Sequence, residues 1–156
     1  MSEAIEQPAK RGLGFSLDTI DTRGGADEGA EIEIIAPDGT GTGFFLTLLG
    51  EDSKAYKAVQ ETNRKRVWAA AMRGTAMASP KVEDQIARSD EMALDLLVAC
   101  TKGWRTSDGG PVLLHGNILE FDEFNVRLLY TEGSPIIREQ AERAIKDRAN
   151  FMQRSA

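Results

Sequence analysis

The stretch EIEIIAPDGTGTGFFLTLL, residues 31–49, decides the fold. Glu31-Ile32-Glu33-Ile34 alternates charged and apolar residues with the period of a half-buried strand. Pro37-Asp38-Gly39 supplies a turn: proline presets φ, and glycine tolerates the left-handed region. Phe44 to Leu49 then reads as a second strand, apolar enough to be covered on both faces. The two strands predict an antiparallel hairpin over about 31–49. A lone two-stranded hairpin is marginal in water, so this one needs a helix, a further strand or another subunit against it.

Downstream the period changes from two to 3.6. Asp52 or Ser53 caps a helix expected to run to about Arg73, with Tyr56, Val59, Val67, Ala70 and Ala71 on its apolar face. Its middle, Glu61 to Arg66, is polar all round and reads as solvated. Gly74 and Ser79-Pro80 mark a break, Pro80 suiting the first position of a new helix. Val82, Ile86, Ala93, Leu96, Leu97 and Cys100 share the stripe of that helix, which Gly103 is expected to stop, with Trp104 directly after. Asp108-Gly109-Gly110-Pro111 is a turn, and Val112, Leu113 and Leu114 lead onward to His115. Asp122 and Glu123 favour the positive end of a short helix carrying Phe124 and Leu128 on one face and ending at Gly133. Ser134-Pro135 opens the last helix, with the stripe Ile137, Ala141, Ala144, Arg148 and Phe151.

Upstream, residues 1–29 hold Gly24-Gly25 and few large apolar side chains, and read as a loosely ordered arm. Within it Leu13, Phe15, Leu17 and Ile20 alternate like a strand and could pair with a sheet edge. The expectation is therefore an α+β chain: an arm (1–29), a β-hairpin (30–50), a helical region of about four helices (51–152) and a short tail (153–156), forming one compact domain.

Composition narrows the function. The 156 residues carry a formal net charge of −6, which disfavours duplex nucleic acid as a partner. Arg64-Lys65-Arg66 is the one basic cluster, and it reads as a solvated helix face or a docking patch for an acidic segment. No apolar run is long enough to span a membrane, and MSEAIEQPAKRG lacks the apolar core of an export signal, so a cytoplasmic setting is expected. The single cysteine, Cys100, falls on an apolar stripe and reads as inert packing. His115 is the only histidine and has no partner at ligand spacing, so neither metal binding nor base catalysis is expected of it. The G-T-G-T-G of residues 39–43 lacks a Gly-Lys-Ser/Thr ending and a following helix, so a hairpin tip is favoured over a phosphate loop. Asp122 reads as a cap, and Asp147 as half of a surface ion pair. No catalytic, metal or cofactor site is expected. Trp104, Phe121, Phe124 and Phe151 read as packing aromatics that mark where the last helices meet, and where a groove for another chain could form.

Two stretches taken together resemble the tail assembly chaperones of long-tailed bacteriophages. The first runs from Ala36-Pro37-Asp38-Gly39 through the Gly-rich tip to Phe45-Leu46-Thr47-Leu48-Leu49-Gly50-Glu51-Asp52-Ser53-Lys54-Ala55-Tyr56. The second comprises Thr101-Lys102-Gly103-Trp104, Asp108-Gly109, Phe121, Asn125-Val126-Arg127 and Tyr130, then Pro135-Ile136-Ile137-Arg138-Glu139-Gln140 and Asp147-Arg148-Ala149-Asn150-Phe151. The order of these signals, over about residues 31–152, carries the likeness. Phe121-Asp122-Glu123 departs from the Ser, Thr or Asn cap expected there, although Asp122 can cap equally well.

The resemblance implies a non-catalytic chaperone in the cytoplasm of an infected or lysogenic host. Such a protein binds the tape measure protein and keeps it soluble while tail tube subunits assemble around it, with the tail tube protein and further copies of the chain as other partners. Many relatives also have a longer frameshifted form. The expected partner-binding residues lie on a helical groove: Trp104, Phe124, Leu128, Ile137 and Phe151. The competing reading is a structural virion protein, a tail completion or head–tail joining subunit that adds strands in a ring. A nucleotide binder at the Gly-rich tip and a nucleic-acid regulator using Arg64-Lys65-Arg66 are further alternatives.

Overall fold

The computed structural model of the chain describes residues 14–74 and 82–152. Leu13, the Ser79-Pro80 cap and the 153–156 tail lie outside the described residues. The architecture is α+β. The expected hairpin forms: β1 (Ala30–Ile35) pairs antiparallel with β2 (Gly41–Leu48), Ile32 opposite Leu46 and Glu33 opposite Phe45. The turn works as its residues dictate. Gly39 adopts φ 90°, and its N–H donates to the Ala36 carbonyl, while the Asp38 carboxylate accepts from the backbone and hydroxyl of Thr40.

What completes the sheet is a strand where the sequence pointed to a helix end. The helix expected to stop at Gly103 ends at Cys100, and Thr101–Thr106 is β3, antiparallel to β2 in the order β1-β2-β3. Trp104 therefore sits on a strand, opposite Leu46, and does not close a helix. The switch happens at one residue. The Thr101 hydroxyl donates back to the Leu97 carbonyl and meets the Tyr130 hydroxyl at 2.8 Å, while the Cys100 carbonyl accepts from the Leu49 N–H. Thr101 thus ends one hydrogen-bonding pattern and starts the other.

Two long helices connect β2 to β3. The first, α2 (Lys54–Gly74), is capped by Ser53, whose Oγ accepts from the Tyr56 N–H, and the second, α3 (Val82–Cys100), runs directly into β3. They pack as an antiparallel pair, Tyr56 near Leu97 at the base and Asn63 against Met92 further out. Asn63 lies in the stretch expected to be solvated, yet it is buried between the helices.

After β3, Leu113–Leu114 (β4) and Asn117–Ile118 (β5) form a small hairpin. His115 and Gly116 are its turn, both with positive φ (52° and 82°), as a two-residue turn with this twist requires. Next come α4 (Glu123–Glu132), where Asp122 Oδ1 accepts from the Asn125 N–H, and α5 (Pro135–Lys146), with Pro135 at its start. The last stripe does not continue to Phe151 as helix. Asp147 ends α5 and its side chain accepts from the Ala149 N–H, capping a 3-10 turn at Arg148–Phe151; this replaces the surface ion pair expected of Asp147.

The core lies between the sheet and the helices. Ile34, Leu46 and Leu48 meet Leu94, Leu97 and Cys100 of α3, Val126, Leu129 and Tyr130 of α4, and Ala141 and Ile145 of α5. The other sheet face is polar with one aromatic: Arg105 stacks 4.3 Å over the Phe45 ring and pairs with Glu31 at 2.6 Å. At Ile35, the end of β1, a side chain takes the place of a neighbouring strand. Gln140 of α5 accepts from the Ile35 N–H and donates to the Ile35 carbonyl.

The second half of the expected arm is built into the fold. Phe15, Leu17 and Ile20 are exposed around a 3-10 turn at Leu17–Ile20, so they form no strand. Thr22 and Ala26 are buried, and α1 (Arg23–Glu28) packs on the C-terminal 3-10 turn. Three small positions make this docking possible. A Cβ on Gly25 would lie 1.9 Å from the Phe151 carbonyl oxygen, and one on Gly50 would lie 2.8 Å from the Phe151 ring and 2.9 Å from Ala26. Gly25 signalled flexibility in the sequence, but here it permits a close backbone approach.

Candidate partner-binding surface

The five residues expected to bind a partner occupy three settings. Trp104 is half-buried on β3, its ring 6.2 Å from Phe44 and 5.1 Å edge-on to Phe121. Leu128 and Ile137 are partly buried and pack on the core. Phe151 is 3% exposed beneath α1, where it fills space between Gly50 and Ala26. Phe124 is 74% exposed, so it does not act as a packing anchor within the fold. Trp104 and Phe121 are brought together, while Phe151 serves a separate seam.

Phe121 also lines a cleft of about 520 Å³ between α2, α3 and the start of α4. Its walls include Val59, Asn63, Val98 and Val126, and its rim carries Asp95 bridged to Arg127 at 2.8 Å and to Arg66 at 3.5 Å. Asn63 Oδ1 is buried there and accepts no hydrogen bond among the described residues. Phe124 stands exposed beside Glu123 of the rim. The mouth of the cleft thus presents aromatic surface framed by a charged triad.

A second groove, about 880 Å³, lies between the outer halves of α2 and α3. Val67 and Ala70 line it together with Arg73, Arg88 and Met92. Around it large apolar side chains face solvent: Val67, Trp68 and Met72 on α2, Val82 and Ile86 on α3, each more than half exposed. Val67 was expected on the buried face of α2, and Val82 and Ile86 on that of α3; only the inner halves of both helices reach the core. Sequence periodicity finds an apolar stripe, but it does not tell which part of the stripe meets the body.

Two of the reactive side chains, Cys100 and Tyr130, are buried in the core. Cys100 is fully buried, and desolvation pushes its thiol up to about 12, partly opposed by a hydrogen bond with Ser53. Burial likewise raises the Tyr130 phenol. His115 is exposed at its hairpin turn. At the Gly-rich tip the Glu33 carboxylate accepts from the Gly43 N–H and would meet a Cβ on Gly41 at 2.6 Å, so an acid stands where a phosphate loop needs open amides. Among the described residues no group of three or more His, Cys, Asp or Glu is placed to hold a metal ion, and no helix is long and apolar enough to cross a membrane.

Fold and surface describe a small α+β chain with exposed apolar side chains on the outer halves of α2 and α3 and around the start of α4. Compared with family models, with curated proteins and with solved structures, the chain finds no match in any of the three.

Proposed function

We propose that the protein is a phage tail assembly chaperone, which binds the tape measure protein and keeps that long helical client soluble while the tail tube assembles. The observation that carries the reading is the α2/α3/α4 cleft, whose apolar wall includes Val59, Val98 and Val126 with Phe121 43% exposed at its edge, while Phe124 stands 74% exposed on the α4 helix that borders it. An amphipathic client helix can lay apolar side chains into such a cleft, its polar face toward Asp95 and Arg127. The net charge of −6 suits the role, because a client coated with acidic subunits repels its neighbours and stays dispersed. The ordered likeness over residues 31–152 supplies the identity of the client.

The test is co-expression with the tape measure protein of the same genome. The client is expected in the soluble fraction bound to this chain, and Phe124→Glu is expected to return it to the pellet. A client that is equally soluble alone would sink the proposal. A second reading, a tail completion or head–tail joining subunit, draws on β3, which lies at the end of the sheet order and pairs with a strand on one side only among the described residues. Mass spectrometry of purified particles separates the two: a virion subunit is present in fixed ratio, whereas a chaperone is absent.

A further inference from the structure

The outer halves of α2 and α3 form an exposed two-helix stalk, tied to α5 by the Asp90–Arg138 bridge. Every residue of α3 from Val82 to Glu91 is exposed, and α2 from Arg64 to Arg73 is exposed apart from the partly covered Ala69 and Ala70. Two helices share one seam, so their remaining apolar stripes face solvent. On α2, Trp68 is followed by Met72 at i+4 and preceded by Arg64 and Lys65 at i−4 and i−3, positions that share one helix face. On α3, Ile86 is preceded by Val82 and Glu83 and followed by Asp90 at the same spacings. Each stripe is an apolar pair bordered by charge, basic on α2 and acidic on α3.

The segregation is nearly complete. The outer half of α2 carries Arg64, Lys65, Arg66 and Arg73 without an acid, and that of α3 carries Glu83, Asp84, Asp90 and Glu91 against Arg88 alone. Some of these charges are engaged, Arg64 with Glu61, Arg66 with Asp95 and Asp90 with Arg138. Lys65 and Arg73, and opposite them Glu83, Asp84 and Glu91, have no ion-pair partner among the described residues. A surface that is apolar, exposed and complementary to its own neighbour in charge fits a second copy of itself.

We propose that the stalk is a homodimer interface, in which α2 of each copy lies along α3 of the other about a two-fold axis, completing a four-helix bundle. Trp68 and Ile86 are its apolar anchors, and Lys65 and Arg73 meet Glu83 and Asp84 across the seam. Two-fold symmetry makes each contact twice, so a modest complementarity per helix pair is doubled. The inference uses neither the client cleft nor the identity of the client, and it is read on the protein alone.

Sedimentation equilibrium of the full chain is expected to give twice the 17.0 kDa chain mass, with association weakening as salt rises. Trp68→Glu with Ile86→Glu, both at exposed positions, is expected to give a monomer of unchanged circular dichroism. The decisive arm is a charge exchange. Lys65→Glu/Arg73→Glu and Glu83→Lys/Asp84→Lys are each expected to weaken self-association about tenfold or more, and the two variants mixed are expected to associate with each other. A chain that remains monomeric at high micromolar concentration overturns the proposal. So does a dimer unaffected by Trp68→Glu with Ile86→Glu, or variants that fail to recover on mixing.

Discussion

Gly25 and Phe151 meet backbone to backbone: the missing side chain of the glycine is what lets the phenylalanine carbonyl approach, since a Cβ would stand 1.9 Å from that oxygen. In an ordinary helix position Gly→Ala gains about 1 kcal/mol. Here the backbone of α1 or of the C-terminal turn has to move, and Gly25→Ala is expected to cost about 2 kcal/mol or more in chemical denaturation. Gly50→Ala clashes with the Phe151 ring instead, so adding Phe151→Leu should restore part of its loss but none of the Gly25→Ala loss. Equal recovery of both would show that the contact is not as described.

Asp52 links three segments. Its carboxylate accepts from Arg148 at 2.7 and 3.0 Å and from the Thr22 hydroxyl at 2.5 Å, and these bonds, Arg148 first, hold its pKa at about 2 against an ordinary 3.8. A folded-state pKa below the unfolded one adds stability above the unfolded value, and that stability disappears as pH falls through the folded value. Because Arg148 is 62% exposed, the gain is on the order of 1 kcal/mol. Comparing melting temperatures of wild type and Asp52→Asn should show a constant difference above about pH 5 that shrinks as the pH falls and disappears only below about pH 2. A difference that persists in acid would assign the effect to packing.

Cys100 is sealed in the core, with its thiol pushed up to about 12 by burial. Iodoacetamide at mildly alkaline pH is expected to leave the native protein unmodified and to label it fully in denaturant. Rapid labelling of the native chain would require α3 to separate from the sheet.

The two tryptophans report on opposite environments. Trp68 is 67% exposed, whereas Trp104 is wedged between Phe44 and Phe121. In dilute solution, Trp68→Phe should shift emission to the blue and remove most acrylamide quenching, while Trp104→Phe should do the reverse. As concentration rises, wild-type Trp68 should become protected if stalks pair.

Local chemistry made the hairpin, its turn, the Ser53 and Asp122 caps and the start of α5 legible in the residues. Each rests on neighbours within a few positions. The third strand was not legible, because Thr101–Thr106 has no clean alternation and its glycine mimics a helix stop; only the ladder to β2 makes it a strand. The docking of α1 was hidden for a related reason. Gly25 reads as flexibility until Phe151, far away in the chain, is placed against it. At the candidate surface the aromatics were visible as residue types, but their burial was not. Phe124 and Phe151 look alike in sequence, and one is exposed while the other is enclosed.

The chain leaves the sheet at Leu48 and re-enters the adjacent strand at Thr101, so α2 and α3 are an excursion between two hydrogen-bonded neighbours. Both ends of that excursion are anchored at nearly one point, and only its inner turns touch the core. The length beyond Asn63 and Met92 adds no residue to the core and is tied to the body through Asp90, which bridges to Arg138 at 2.9 Å, so turns added or removed in matched pairs outside that bridge would leave the ladder beneath in place. Selection can tune the reach of the stalk while the body stays constant, as the shaft of a tool is sized separately from its handle.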